Sequence, residues 1–140
     1  METPKIKIIR IFRDKLINFL NDLLNLFPTD ENLIMASILI RDYPNFEQLM
    51  ENFITDLYPL REKVKNRDEN YLLSNEPKIY KIIRDKMGED IVNDFKKRWR
   101  SNKISKYNKN ALWKWGDLFI TLGERYLKCK EKENKNGEIR

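Results

Sequence analysis

The stretch KIKIIRIFRDKLINFLNDLLNLF, Lys5 to Phe27, decides the fold class. Ile8, Ile9, Phe12, Leu16, Phe19, Leu20, Leu23 and Leu24 recur at steps of three and four residues. That spacing lays one apolar stripe, more than a hundred degrees wide, along one side of a helix. Thr3 or Pro4 opens it, and Pro28 closes it by disfavouring helical geometry at Phe27.

The helical period persists downstream. Thr29 or Asp30 caps a second helix whose inward face is Leu33, Ile34, Ile38 and Leu39. Tyr43-Pro44 stops it. Asn45 caps a third helix carrying Phe46, Leu49, Met50, Phe53, Ile54 and Leu57, ended or kinked by Pro59 and continuing over 60–65. Tyr71, Leu72 and Leu73 pin down a loop or single helical turn. A helix from Pro77 to Met87 closes at Gly88. Ile91, Val92, Phe95 and Trp99 mark another from Glu89 to Arg100. After a polar linker, Ser101 to Lys109, Asn110 caps a last helix from Ala111 to about Glu131. No segment alternates with period two, and no hairpin turn separates two apolar runs. The expected architecture is all-α: a compact irregular bundle of about six helices, one domain over 1–131 with a flexible charged tail over 132–140.

Composition excludes several classes. Of 140 residues, 41% are hydrophobic and 36% charged, too apolar for a disordered chain and too charged for a membrane bundle. No run approaches the ~20 apolar residues a span needs, and no signal peptide is visible. Histidine is absent, which removes the commonest general base and metal ligand. The four glycines form no phosphate-cradling loop. Glu47, Glu51, Asp56, Asp68 and Glu69 make no convincing metal or acid–base set. Cys129, the single cysteine, has no base beside it and reads as an incidental surface thiol in an intracellular protein. The expectation is a protein without enzymatic activity, cofactor or metal.

Charge is unevenly distributed within the net +6. Residues 28–75 carry five Lys/Arg against nine Asp/Glu, whereas 76–109 carry eleven against five. Such a split marks faces for different partners, or simply soluble helices. Lys96, Lys97, Arg98, Arg100, Lys103, Lys106 and Lys109 fall close together with Trp99 and Tyr107 among them, and no acid intervenes between Phe95 and Asp117. Clustered cations and aromatic faces suit nucleic acid. The competing account is a solvated helix end with Trp99 in the core. Trp113 and Trp115 are two apart and cannot share a helical face, so one is expected inside and the other partly exposed; the second is either an anchor for a partner or has its edges covered inside this domain. Gly116 and Gly123, seven apart, allow another helix to approach closely, or else break the helix.

Two segments resemble parts of small helical proteins of nucleocytoplasmic large DNA viruses, the giant viruses. One is ALWKWGDLFITLGERY, Ala111 to Tyr126; the other is YPLREKVKNRDENYLL, Tyr58 to Leu73. The Phe27-Pro28 ending followed by an acidic cap is also similar. The resemblance covers packing residues, with no catalytic motif, and the basic run Lys96 to Arg100 is heavier than it leads one to expect. It implies a viral origin and a host-cytoplasm or virion setting. The leading expectation is therefore a helical binding or structural protein, acting through contacts with a protein partner or a second copy, with Trp113 and Trp115 as the candidate anchors. The alternative is a nucleic-acid-binding accessory protein using Lys96, Lys97, Arg98, Arg100, Lys103, Lys106, Tyr107 and Lys109. No small-molecule substrate is inferred.

Overall fold

Helix α1 (Pro4–Leu26) begins where the sequence predicts: the Thr3 hydroxyl accepts the Ile6 N–H at 3.2 Å, and Pro4 occupies the first turn. It belongs to a computed structural model that describes residues 2–74, 81, 84–85 and 88–139, with side chains through Lys135. Among the described residues the chain is helical and contains no strand, so the protein is all-α. Asp30 caps α2 (Glu31–Arg41) and Asn45 caps α3 (Phe46–Leu57). Pro59 turns the chain through a 3-10 turn, Tyr58–Leu60, into α4 (Arg61–Lys65). Asp68 caps the single turn α5 (Glu69–Leu72). The helix expected from Pro77 to Met87 falls mostly outside the described residues. The Gly88 N–H nonetheless bonds the Arg84 carbonyl at 2.9 Å, with φ of 96°, as a closing glycine should. Helix α6 is Glu89–Arg100, and α7 is Lys106–Ile139.

Two expected boundaries move at α7. It starts at Lys106 rather than Ala111, because Ser105 supplies the cap: its hydroxyl accepts the Asn108 N–H at 3.1 Å. Ile104, buried just before it, anchors the chain there. At the other end the helix continues to Ile139, through residues given to the charged tail. That tract lacks apolar periodicity, but Lys and Glu are good helix formers and extend a helix already nucleated.

Helix α7 is the spine. On one side Phe119, Leu122 and Tyr126 pack with Phe12 and Leu16 of α1 and Met50 and Ile54 of α3. Phe12, Phe53 and Phe119 meet pairwise with ring centroids 5.3–5.9 Å apart, at tilted or edge-on angles that suit aromatic quadrupoles. Nearer its start, Trp113 packs with Val64, Trp99 and Ile104 in a second cluster. The two glycines face these neighbours, and the helix runs through both unbroken. A Cβ on Gly116 would stand 3.1 Å from Val64 Cγ1, and one on Gly123 would stand 3.3 Å from Ile54 Cγ1. Close packing offsets their poor helix propensity.

Candidate interaction surface

Helix α2 is apolar nearly all round, so hydrophobicity alone cannot say which side faces in. Its neighbours decide. Ala36 and Ser37 are buried, small enough for α2 to lie close on α1, with Leu33 and Ile40 half-buried beside them. Two polar ties fix the rotation. Arg98 forms an ion pair with the Asp30 carboxylate and stacks 4.2 Å from the Phe27 ring centre. Arg41 donates to the Asn21 side-chain oxygen at 2.6 Å.

This rotation reverses the expected inward face. Ile34, Met35, Ile38 and Leu39 are 40%, 56%, 49% and 49% exposed. At about 100° per residue they span an arc of roughly 140° on one side of the helix. Of the predicted inward residues only Leu33 turns toward the core. Single exposed apolar residues are unremarkable, but four contiguous ones form a patch of the kind that partners cover. The sequence carried a signal for this: α2 is hydrophobic through 360°, which a helix on one face of a bundle does not need. Glu31 and Asp42, exposed and without an ion pair among the described residues, sit at the two ends of the patch.

The basic stretch does not act as one surface. Lys96 is only 5% exposed and donates to the Ser74 carbonyl at 2.9 Å. Burial, then the nearby Arg84 and Arg100, push its pKa down. Arg98 is committed to Asp30 and Phe27. Arg100 donates to the Leu73 carbonyl at 3.0 Å. Helix α6 therefore uses its cations largely to receive the acidic and carbonyl-rich segment before it. Part of the charge split in the sequence is internal complementarity. Trp99 is core, 2% exposed, its indole N–H donating to Glu69 at 3.1 Å. Lys109 lies 5.2 Å from the Trp99 ring centre. Lys97, Lys103, Lys106 and Tyr107 remain exposed, the last at 82%.

The tryptophan pair divides as its spacing requires, one inside and the other half-buried. Trp113 is 7% exposed and stands edge-on to Trp99 at 5.6 Å, so it is closed to a partner. Trp115 is half-buried: its ring stacks on Phe119 at 5.9 Å and its N–H donates to Asp22 at 2.9 Å. Both indoles tie α7 to its own domain.

The acids also serve the fold. Tyr126 O–H and Lys130 each donate to Glu51 at 2.9 Å, and Lys5 pairs with Glu47 at 2.7 Å. The bonds from Lys130 and Tyr126 hold Glu51 below the usual carboxylate range. Among the described residues no group of three His, Cys, Asp or Glu is placed to hold a metal ion. A cavity bounded by Leu60, Val64, Leu72 and Trp113 holds about 10 Å³, room for at most one water. No helix among the described residues is long and apolar enough to cross a membrane. No protein-family model, curated protein or solved structure matches the chain.

Proposed function

We propose that this chain is a non-enzymatic helical binding module whose contact surface is the outer face of α2. The observation that carries this is the exposure of Ile34, Met35, Ile38 and Leu39 together on that face. A patch of this kind is stabilised by a partner that removes it from water, at roughly 25 cal/mol for each Å² of apolar surface buried. The likeness of Ala111 to Tyr126 and Tyr58 to Leu73 to giant-virus proteins adds a viral setting to the proposal, a host cytoplasm or a virion. Photo-crosslinking in cells tests the contact. A crosslinking residue at Met35 or Leu39 is expected to give an adduct of discrete mass, and one at exposed Lys97 is expected to give none. Equal, diffuse labelling at all three positions refutes the proposed surface.

A second reading rests on Tyr107. An 82% exposed tyrosine on the first turn of α7, with exposed Lys103 and Lys106 close by in sequence, is a stacking face beside cations. Binding to a labelled single strand at two salt concentrations tests it. Changing Lys97, Lys103 and Lys106 to glutamine should reduce the salt slope by about 0.7 for each phosphate that is no longer neutralised. An unchanged slope, or no binding at low salt, removes this reading.

A further inference from the structure

The patch on α2 has an internal symmetry that bears on what covers it. About the midpoint between Ala36 and Ser37, Met35 balances Ile38, Ile34 balances Leu39, and Glu31 balances Asp42. The outer face is thus an apolar stripe with an exposed carboxylate at either end. Glu31, in the first turn, suits the helix dipole; Asp42, at the C-terminal end, opposes it and contributes nothing favourable to α2 by that route. No ion pair among the described residues engages either acid.

From this placement we infer that the occupant is an amphipathic helix of a partner protein, with a lysine or arginine beyond each end of its apolar stripe. The inference rests on the proposed function and names the partner's chemistry. A second copy of this chain fits badly. Two-fold pairing through the centre of the stripe faces Glu31 with Asp42 when the helices run antiparallel, and each acid with its own counterpart when they run parallel. Both arrangements bring like charges together as the apolar surfaces close. An anionic membrane surface meets the same repulsion, because interfacial helices flank their apolar faces with cations. A cationic amphipathic helix converts both acids into rim ion pairs that fix register while apolar side chains fill the centre. The two cations would lie about 16 Å apart along the partner, the rise of eleven helical residues.

Two synthetic peptides make the test. Both are helical, with leucines in an i, i+3, i+4, i+7 stripe; one carries lysines flanking the stripe and its twin carries glutamates. Fluorescence anisotropy is read with the full chain and with a Glu31→Lys, Asp42→Lys variant whose helicity is checked by circular dichroism. The wild-type chain is expected to bind the lysine peptide about tenfold more tightly than its twin, and the variant to reverse that order. Ile38→Glu should abolish binding of both. Equal binding of the two peptides overturns the charge inference while leaving α2 as the contact surface. Absence of binding by either peptide overturns the inference, and loss of the Met35 crosslink then removes the proposed surface as well. Dimerisation of the wild-type chain that Ile38→Glu abolishes, or capture by phosphatidylserine vesicles, identifies a different occupant and overturns it too.

Discussion

Replacing Gly116 by alanine tests whether α7 is set where the packing places it. In an open helix the change is stabilising by about 1 kcal/mol, because alanine loses less backbone entropy. Here the new Cβ would stand 3.1 Å from Val64 Cγ1, a few tenths of an ångström too close. Val64 cannot easily yield: it is β-branched, buried, and packed with Trp99, Ile104 and Trp113. Inserting a methyl into such a core costs about 1–3 kcal/mol. The clash wins, and Gly116→Ala is expected to destabilise by about 1 kcal/mol. In a Val64→Ala background the obstructing methyl is gone, so the same substitution should become stabilising by nearly the full ~1 kcal/mol. The coupling between the two sites is then about 2 kcal/mol. Gly123→Ala is the internal control. Its Cβ would stand 3.3 Å from Ile54 Cγ1, on a longer side chain, and the change should be close to neutral. Urea unfolding followed by tryptophan fluorescence measures all four variants, since Trp99 and Trp113 lie against Val64. A Gly116→Ala protein stabilised by ~1 kcal/mol in the wild-type background, with no coupling to Val64, refutes the close approach of α4 and α7.

Three further outcomes follow from the polar ties. Burial pushes Asp30 up, but the Leu33 N–H and Arg98 together hold it below its ordinary value of 3.8, and Glu51 is likewise held down by Lys130 and Tyr126. Folded values below unfolded ones give stability that is full above the ordinary carboxylate range and lost as pH falls through the depressed values. The urea midpoint should stay level from about pH 7 to 5 and fall below about 4, less steeply in Asp30→Asn. Arg98→Ala strands a nearly buried Asp30 carboxylate and uncovers Phe27, and should cost about 2 kcal/mol, whereas Lys97→Ala beside it should change stability by less than about 0.5 kcal/mol in chemical denaturation. Tyr126→Phe removes an O–H that donates to an ionised Glu51, and should cost about 1–2 kcal/mol by the same measurement.

The legible part of the fold was the part with one-sided patterns. In α1 and α3 a polar face lies opposite the apolar stripe and leaves only one inward orientation, and Phe12, Leu16, Met50 and Ile54 are where the period places them. The cap at Asn45 is readable, and those at Thr3 and Asp30 are readable to within one residue, because a short polar side chain precedes each apolar helix. The inward face of α2 was not readable, since Leu33, Ile34, Met35, Ile38, Leu39 and Ile40 surround the helix. Its rotation depends on the distant Arg98 and Asn21, whose contacts no local pattern encodes. The start of α7 escapes local pattern for a related reason: Ser105 caps it next to Ile104, which packs with Val64, Trp99 and Trp113. In the basic stretch, composition and placement diverge. Helical spacing from Phe95 signalled that Trp99 belongs to the core, and the same reasoning carried one step further puts Lys96 on a covered side. Nothing in the sequence distinguishes Arg98, tied to Asp30, from exposed Lys97. For the tryptophans, spacing indicates two different faces and leaves open whether a partner or the domain itself engages the second; Phe119 and Asp22 engage it from within the domain.

The orientation of α2 is open to direct chemical measurement. In a Cys129→Ser background, cysteine is introduced singly at Met35, Ala36 and Ile38, and its reaction with a thiol reagent is timed under native conditions. Thiols at positions 35 and 38 are predicted to react at nearly the rate of the unfolded chain, while that at position 36, buried against α1, is slowed to the rate of opening. Protection at positions 35 and 38, with rapid labelling at 36, would mean that α2 turns its large apolar side chains inward and would contradict the proposed contact surface.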